Sequence, residues 1–121
     1  MMIISFAWTT DAFLAGRKTR TRRQWADDHV KKFHVGEIVQ AWNRTPRVSG
    51  AKRVGYLKIT GLKREHVSLM PDEDFEKEGF AYLAEHGTKI WGMDAKESFE
   101  NWRKQDRTYW VVDFVKVSIN P

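Results

Sequence analysis

Hydrophobic and polar positions follow two periods along this chain, and the switches between them mark its elements. Ile3 to Trp8 is a short β-rich run that ends on Thr9, Thr10 and Asp11, whose side chains can accept the first free N–H groups of a helix. A helix is predicted from about Asp11 through Ala15, ending at Gly16, a residue suited to the left-handed turn that terminates helices. From Gln24 to Phe33 the apolar spacing Trp25, His29, Val30, Phe33 is helical, and Asp27 with Lys31 and Asp28 with Lys32 stand in the i,i+4 order that supports an exposed face. A turn at Val35-Gly36 leads into a predicted strand from Glu37 to Arg44, and a longer strand runs from Arg53 to Val67. Between them NRTPRVSGAK reads as a flexible basic loop. The acidic PDED at 71–74 suits a helix start, because negative charge complements the helix dipole there, and one helix is predicted to continue to about His86. Asp94 and Glu97 form a D-x-x-E capping pattern for a further helix that puts Ala95, Phe99 and Trp102 on one face. Thr108 to Ser118, dense in β-branched and aromatic residues, is predicted to be a central strand.

This order implies an α+β fold: a mixed β-barrel, first and last strands closing on each other, flanked by three to four helices. At 121 residues the chain has the length of a single domain spanning 1–121, with no internal repeat or linker. It contains no cysteine, which excludes disulfides, thiolate zinc sites and a cysteine nucleophile. No secretory signal pattern and no apolar stretch of about 20 residues is present, so a soluble, cytoplasmic protein with no membrane association is expected.

The net charge of +5 conceals an asymmetry. Residues 1–64 hold 14 Lys and Arg against 4 acids, whereas residues 65–121 hold 7 against 12. The basic half is the expected contact surface for phosphate, with a merely solvated basic face as the alternative.

Within that half, GRKTRTRR at 16–23 carries the candidate chemistry. If Thr19 to Arg22 is extended, Thr19 and Thr21 point to one face, and Arg20 and Arg22 to the other. Lys18, at the bend before them, can fold back over Thr21, and a neutral amine can take the hydroxyl proton of a Thr nucleophile. That requires a lowered Lys pKa, which burial or the neighbouring Arg17, Arg20, Arg22 and Arg23 would supply. A solvated loop with Thr21 bonded to its own backbone is the structural alternative. On the helix after PDED, Glu78 stands three residues after Phe75 and four before Tyr82, at the edge of the apolar stripe Phe75, Gly79, Tyr82, Leu83. A carboxylate there needs a partner, structural or catalytic. Trp42 and Tyr56 lie in strands where an aromatic can stack on a base, next to the basic loop with Arg44, Arg47, Lys52 and Arg53. Trp8, Trp102 and Trp110 are assigned to the core. His29, His34 and His86 show no metal-ligand spacing and no P-loop or GxGxxG turn occurs, so neither metal nor cofactor is expected.

The stretch Ala12 to Arg22, AFLAGRKTRTR, resembles the N-terminal motif of ASCH domains, in which an ILAGRKTxTxR-like run follows the first helix. Phe33-His34-Val35-Gly36-Glu37 is similar to the F-x-x-G-D/E turn of the same family. The resemblance implies a PUA-like barrel with a cleft for RNA or a nucleobase. Small bacterial members that remove the acetyl group of 4-acetylcytidine use a Lys, a Thr three residues later and a Glu on a following helix, which fall here on Lys18, Thr21 and Glu78. The basic loop at 43–53 and the helix at 94–105 extend beyond those compact enzymes. The function expected is therefore an amidohydrolase acting on a modified cytidine nucleoside, with an RNA-binding module or a ribonuclease as alternatives.

Overall fold

The computed structural model describes residues 1–119. Five strands and five helices alternate along the chain: β1 (Ile3–Ser5), α1 (Thr10–Leu14), β2 (Arg20–Arg23), α2 (Asp27–Val30), β3 (Ile38–Trp42), β4 (Arg53–His66), α3 (Asp74–Lys77), α4 (Phe80–Glu85), α5 (Ala95–Arg103) and β5 (Thr108–Val117). The strands form one mixed sheet in the order β1-β3-β4-β5-β2, with β1 parallel to β3 and every other pair antiparallel.

The fold is α+β as expected, but the sheet does not close into a barrel. β5 lies inside it between β4 and β2, and the short β1 and β2 form the two edges. Thr19, just before β2, donates its N–H to the Lys77 carbonyl, so the α3 segment occupies the place a pairing strand would need. A side chain spans the opening instead: the Arg23 guanidinium on β2 donates to the Ser5 carbonyl on β1.

One face of the sheet packs Ile4, Phe6, Phe13, Phe33, Val39, Ala41, Leu57, Ile59, Val112 and Phe114 into the main core. Burial of these side chains, about 1.5–3 kcal/mol each for the larger ones, holds α1 and the strands together. A second cluster of Val67, Met70, Phe99 and Tyr109, with Phe75, Phe80 and Trp102 against it, fixes α3 to α5. Asp94 caps α5 as its pattern predicts, accepting from the Glu97 N–H at 2.8 Å.

Three expectations are corrected. The helix predicted over 24–33 is confined to Asp27–Val30. Trp25, His29 and Phe33 still cluster, with the Trp25 and Phe33 rings stacked 4.1 Å apart, but Lys31 and Lys32 fall beyond the last helical turn and the i,i+4 ion pairs do not form. The 43–52 loop is closed by its own hydrogen bonds, Lys52 N–H to Asn43 Oδ1 at 2.8 Å and Asn43 N–H to the Lys52 carbonyl at 3.2 Å. The single helix predicted over 71–86 splits at Gly79, which adopts φ +96°.

That split has a packing cause. A Cβ on Gly79 would lie 3.0 Å from Ala12 Cβ and 3.3 Å from Thr9 side-chain carbons, so only glycine permits the chain to press this closely on α1. A Gly79→Ala substitution combines a left-handed backbone with a steric overlap and is expected to cost about 2 kcal/mol or more, read as a lower urea midpoint at unchanged m-value.

Candidate functional site

β2 organises the site because its four residues carry three arginines and a threonine past two different faces. In the antiparallel ladder Arg20 lies opposite Asp113, Thr21 opposite Val112 and Arg22 opposite Val111. Arg20 and Arg22 accordingly share a face and a partner: Arg20 Nη1 donates to Asp74 Oδ1 at 2.9 Å, and Arg22 Nη2 approaches Asp74 Oδ2 to 2.6 Å. Asp74 is completely buried. Arg20 also forms a two-point contact with Asp113, and Arg22 donates to Glu65 Oε1 at 3.0 Å. Room for Asp113 comes from the bulge between Ile59 and Gly61, where a Cβ on Gly61 would sit 3.0 Å from Asp113 Oδ2.

Glu78 joins the two sides of β2. Its Oε2 accepts from Arg22 Nη1 at 2.7 Å and its Oε1 lies 3.3 Å from Lys18 Nζ. Lys18 Nζ also donates to the Glu78 main-chain carbonyl at 2.5 Å. The helix break at Gly79 is what frees that carbonyl, since a continuous helix would direct it to an N–H four residues on. Lys18, Thr21 and Glu78 are all at least 96% buried. Thr21 Oγ1 accepts from Arg23 Nε at 3.3 Å, and both Lys18 Nζ and the Arg23 guanidinium lie 5.8 Å from the Phe6 ring centre.

Burial pushes the Lys18 amine down to about 8, with the Arg23 and Arg22 charges acting in the same direction and Glu78 opposing. Burial also lowers Arg23, against the pull of Glu78. Arg20 and Arg22 move the other way, because their carboxylate partners outweigh desolvation. The amine is thus held by Glu78 and the Thr21 hydroxyl by Arg23, with no hydrogen bond between Lys18 Nζ and Thr21 Oγ1.

The remaining expected site residues are dispersed. Arg17 is on the surface, paired with Glu76 and Glu85. Trp42 is half-buried and spends its indole N–H on Gln40, and Tyr56 lies under the Arg53 guanidinium at 5.0 Å. Arg44 lines a cavity of about 670 Å³ between α1 and the 43–52 loop, together with Ser5, Ala7, Trp8 and Lys52. Arg47, Arg53, Trp42 and Tyr56 do not line it. Trp8, assigned to the core from sequence, is 49% exposed on this cavity, while Trp102 packs on the second cluster and Trp110 is half-buried near Arg64. Sequence reasoning also missed Glu65, Asp74 and Asp113. Asp113 had a visible signal, as the one acid in the apolar run TYWVVDFVKVS. Among the described residues no group of three or more His, Cys, Asp or Glu is placed to hold a metal ion, and no helix is long and apolar enough to cross a membrane.

The fold is ASCH-like. An ASCH domain from Lactobacillus crispatus JV V101 superposes with a TM-score of 0.56 at 12% identity, over 95% of this chain and 78% of that one. A protein of the DUF984 family from Enterococcus faecalis V583 superposes with a TM-score of 0.59 at 15% identity, over 97% and 76%. No family model matches the chain, and no curated protein matches it significantly in sequence.

Two measurements follow from the ion network. Asp74→Asn leaves two buried guanidinium groups short of a charge and is expected to cost about 3–5 kcal/mol, whereas Arg17→Ala, at the surface, is expected to leave the midpoint nearly unchanged; denaturant titration compares them. Because the folded Lys18 loses its proton near 8 and the unfolded one near 10.5, the unfolded state binds more protons in that window, and stability rises with pH across it. The gain, about 3 kcal/mol at 1.36 kcal/mol per unit, is expected to be absent in Lys18→Met.

Proposed function

We propose that the chain is a hydrolase of N-acylated cytosine nucleosides, 4-acetylcytidine being the test substrate, with Thr21 as nucleophile and Lys18 as its base. The observation that carries this reading is the buried Lys18 amine, lowered to about 8 and held against Glu78, three residues before a buried threonine. A surface lysine keeps its proton to about pH 10, whereas this one becomes neutral and able to accept a proton as pH passes about 8. Resemblance of GRKTRTRR to the ASCH motif and the ASCH-like fold add the substrate class.

In the proposed reaction the Thr21 hydroxyl oxygen bonds to the acetyl carbon as its proton passes to the neutral Lys18 amine. The tetrahedral adduct then breaks its carbon–nitrogen bond, and the exocyclic nitrogen of cytosine leaves with the proton from Lys18. Water hydrolyses the acetyl-threonine ester by the same proton route, releasing acetate. Glu78 positions Lys18 through both its carboxylate and its carbonyl. Arg23, already bonded to Thr21 Oγ1, is the group placed to stabilise the oxyanion, whereas Arg22 is committed to three carboxylates. Lys18, Thr21 and Glu78 do not themselves line the cavity; Ser5, which does, is linked to them only through its carbonyl, which accepts from Arg23, so this reading requires an opening between Ser5 and Arg23.

A second reading, RNA binding without turnover, is favoured by the loop cations. Arg44, Arg47, Lys52 and Arg53 form no ion pair among the described residues, so their charge is free for phosphate.

Wild type is expected to deacetylate 4-acetylcytidine, with rates that climb as pH passes about 8 and Lys18 becomes neutral. Lys18→Met and Thr21→Val should each lower kcat by about 100-fold or more, with folding checked by circular dichroism. An inactive wild type sinks the activity, and full rates in both variants sink the residue assignment. Salt-sensitive RNA binding without turnover would select the second reading, and cleavage of unmodified RNA would select a ribonuclease.

A further inference from the structure

The cavity of about 670 Å³ has a rim that the chemistry of Lys18 and Thr21 does not use. Trp8 is 49% exposed on its wall, and Trp91, in the turn between α4 and α5, is 84% exposed. Their rings meet edge to face with centroids 6.2 Å apart. Exposing two adjoining indoles forgoes the burial that normally recommends tryptophan, so something other than core packing has to explain the pair.

The backbone singles out the same place. Among the described residues only Ala7, with φ +46°, and Trp91, with φ +52°, are non-glycine residues in the left-handed region. One precedes Trp8 and lines the cavity, and the other is the second indole itself. Such conformations cost free energy and persist where the surrounding structure enforces them, most often at ligand sites. Arg44 and Lys52, cations without a carboxylate partner among the described residues, line the same cavity as Trp8. Arg44 is held by one bond to the Ser49 carbonyl at 3.3 Å, which leaves its other N–H groups free. The floor is apolar at Leu14, Val48 and Val54, and Asp11 supplies a single carboxylate.

We propose that this cavity is a nucleotide site, in which a base lies against the Trp8–Trp91 pair and the attached phosphate is held by Arg44 and Lys52. An indole platform accepts any base by its π-face, and the two cations supply charge at a distance from it. Asp11 accepts a hydrogen bond from a base amino group or a ribose hydroxyl. The volume lies in the range of small-molecule sites. The choice of a nucleotide over other flat anions rests on the nucleoside reading above; the site itself does not depend on Thr21 chemistry. The same ligand chemistry comes either as a free nucleotide or as a segment of single-stranded RNA.

The test is a titration of the full chain with cytidine, cytidine 5′-monophosphate and a four-nucleotide single-stranded RNA, followed by tryptophan fluorescence and the indole N–H resonances of Trp8 and Trp91. Saturable quenching by the monophosphate is expected, weakened about tenfold or more in Trp8→Ala and in Trp91→Ala. In the Arg44→Ala/Lys52→Ala double variant the affinity for the monophosphate should fall to that for cytidine and lose its salt dependence. Tighter binding of the RNA identifies a strand as the natural ligand, and equal binding a free nucleotide; either supports the site. No saturable binding up to millimolar ligand, or binding unchanged in all three variants, overturns it. The titration and the deacetylation assay, both on wild type, separate the two proposals: tryptophan-dependent binding beside no deacetylation refutes only the catalytic reading, and deacetylation without the tryptophan effect refutes only this one.

Discussion

Glu78 and Asp74 hold the molecule to one arrangement because each is a buried carboxylate shared by two cations. Lys18 and Arg22 meet at Glu78, and Arg20 and Arg22 meet at Asp74, with Glu65 and Asp113 completing a set in which three cations, Lys18, Arg20 and Arg22, meet four acids. Each ion costs several kcal/mol to desolvate, and only close, multiple contacts offset that cost. Such a cluster tolerates little displacement. It therefore ties β2, α3 and the inner strands β4 and β5 to one another, and it explains why a four-residue edge strand keeps a defined position.

The same cluster resolves the charge asymmetry of the chain. Every ion pair it contains joins a cation from the first 64 residues to an acid from the remainder. Most of the positive charge in GRKTRTRR is therefore neutralised internally rather than displayed to phosphate. What stays available includes Lys31, Lys32 and Lys58 and the cations of the 43–53 loop, where Arg44 and Lys52 border the cavity. Charge in this protein is divided between a buried part held in ion pairs and an exposed part open to solvent.

Structural and chemical roles converge on Lys18. Burial makes its charge expensive, Glu78 gives back part of that cost, and the two arginines nearby withhold the rest, so the amine sits near the point of losing its proton. The feature that holds Lys18, the carbonyl released where the helix breaks at Gly79, exists because glycine allows the chain to press against Ala12 and Thr9. A packing requirement on one side of the segment thus delivers an acceptor on the other.

Much of this was legible along the chain. The alternation in Arg53–Val67 and the β-branched and aromatic density of Thr108–Ser118 marked the long strands, D-x-x-E marked the start of α5, and the position of Glu78 at the edge of an apolar stripe marked it as a carboxylate in need of a partner. These are local properties: period, capping and burial pattern depend on neighbours a few residues away. The open sheet, the split at Gly79, the exposure of Trp8 and the partners Asp74 and Asp113 were not legible, because each depends on what arrives from elsewhere in the chain. An aspartate at a helix start looks like a cap until two arginines from a distant strand meet it, and a tryptophan looks like core until no other element covers it. Sequence determined which groups would be placed on which face; only tertiary structure decided which charges would meet, since ion pairing and exposure are set by distances across the fold and not by spacing along it.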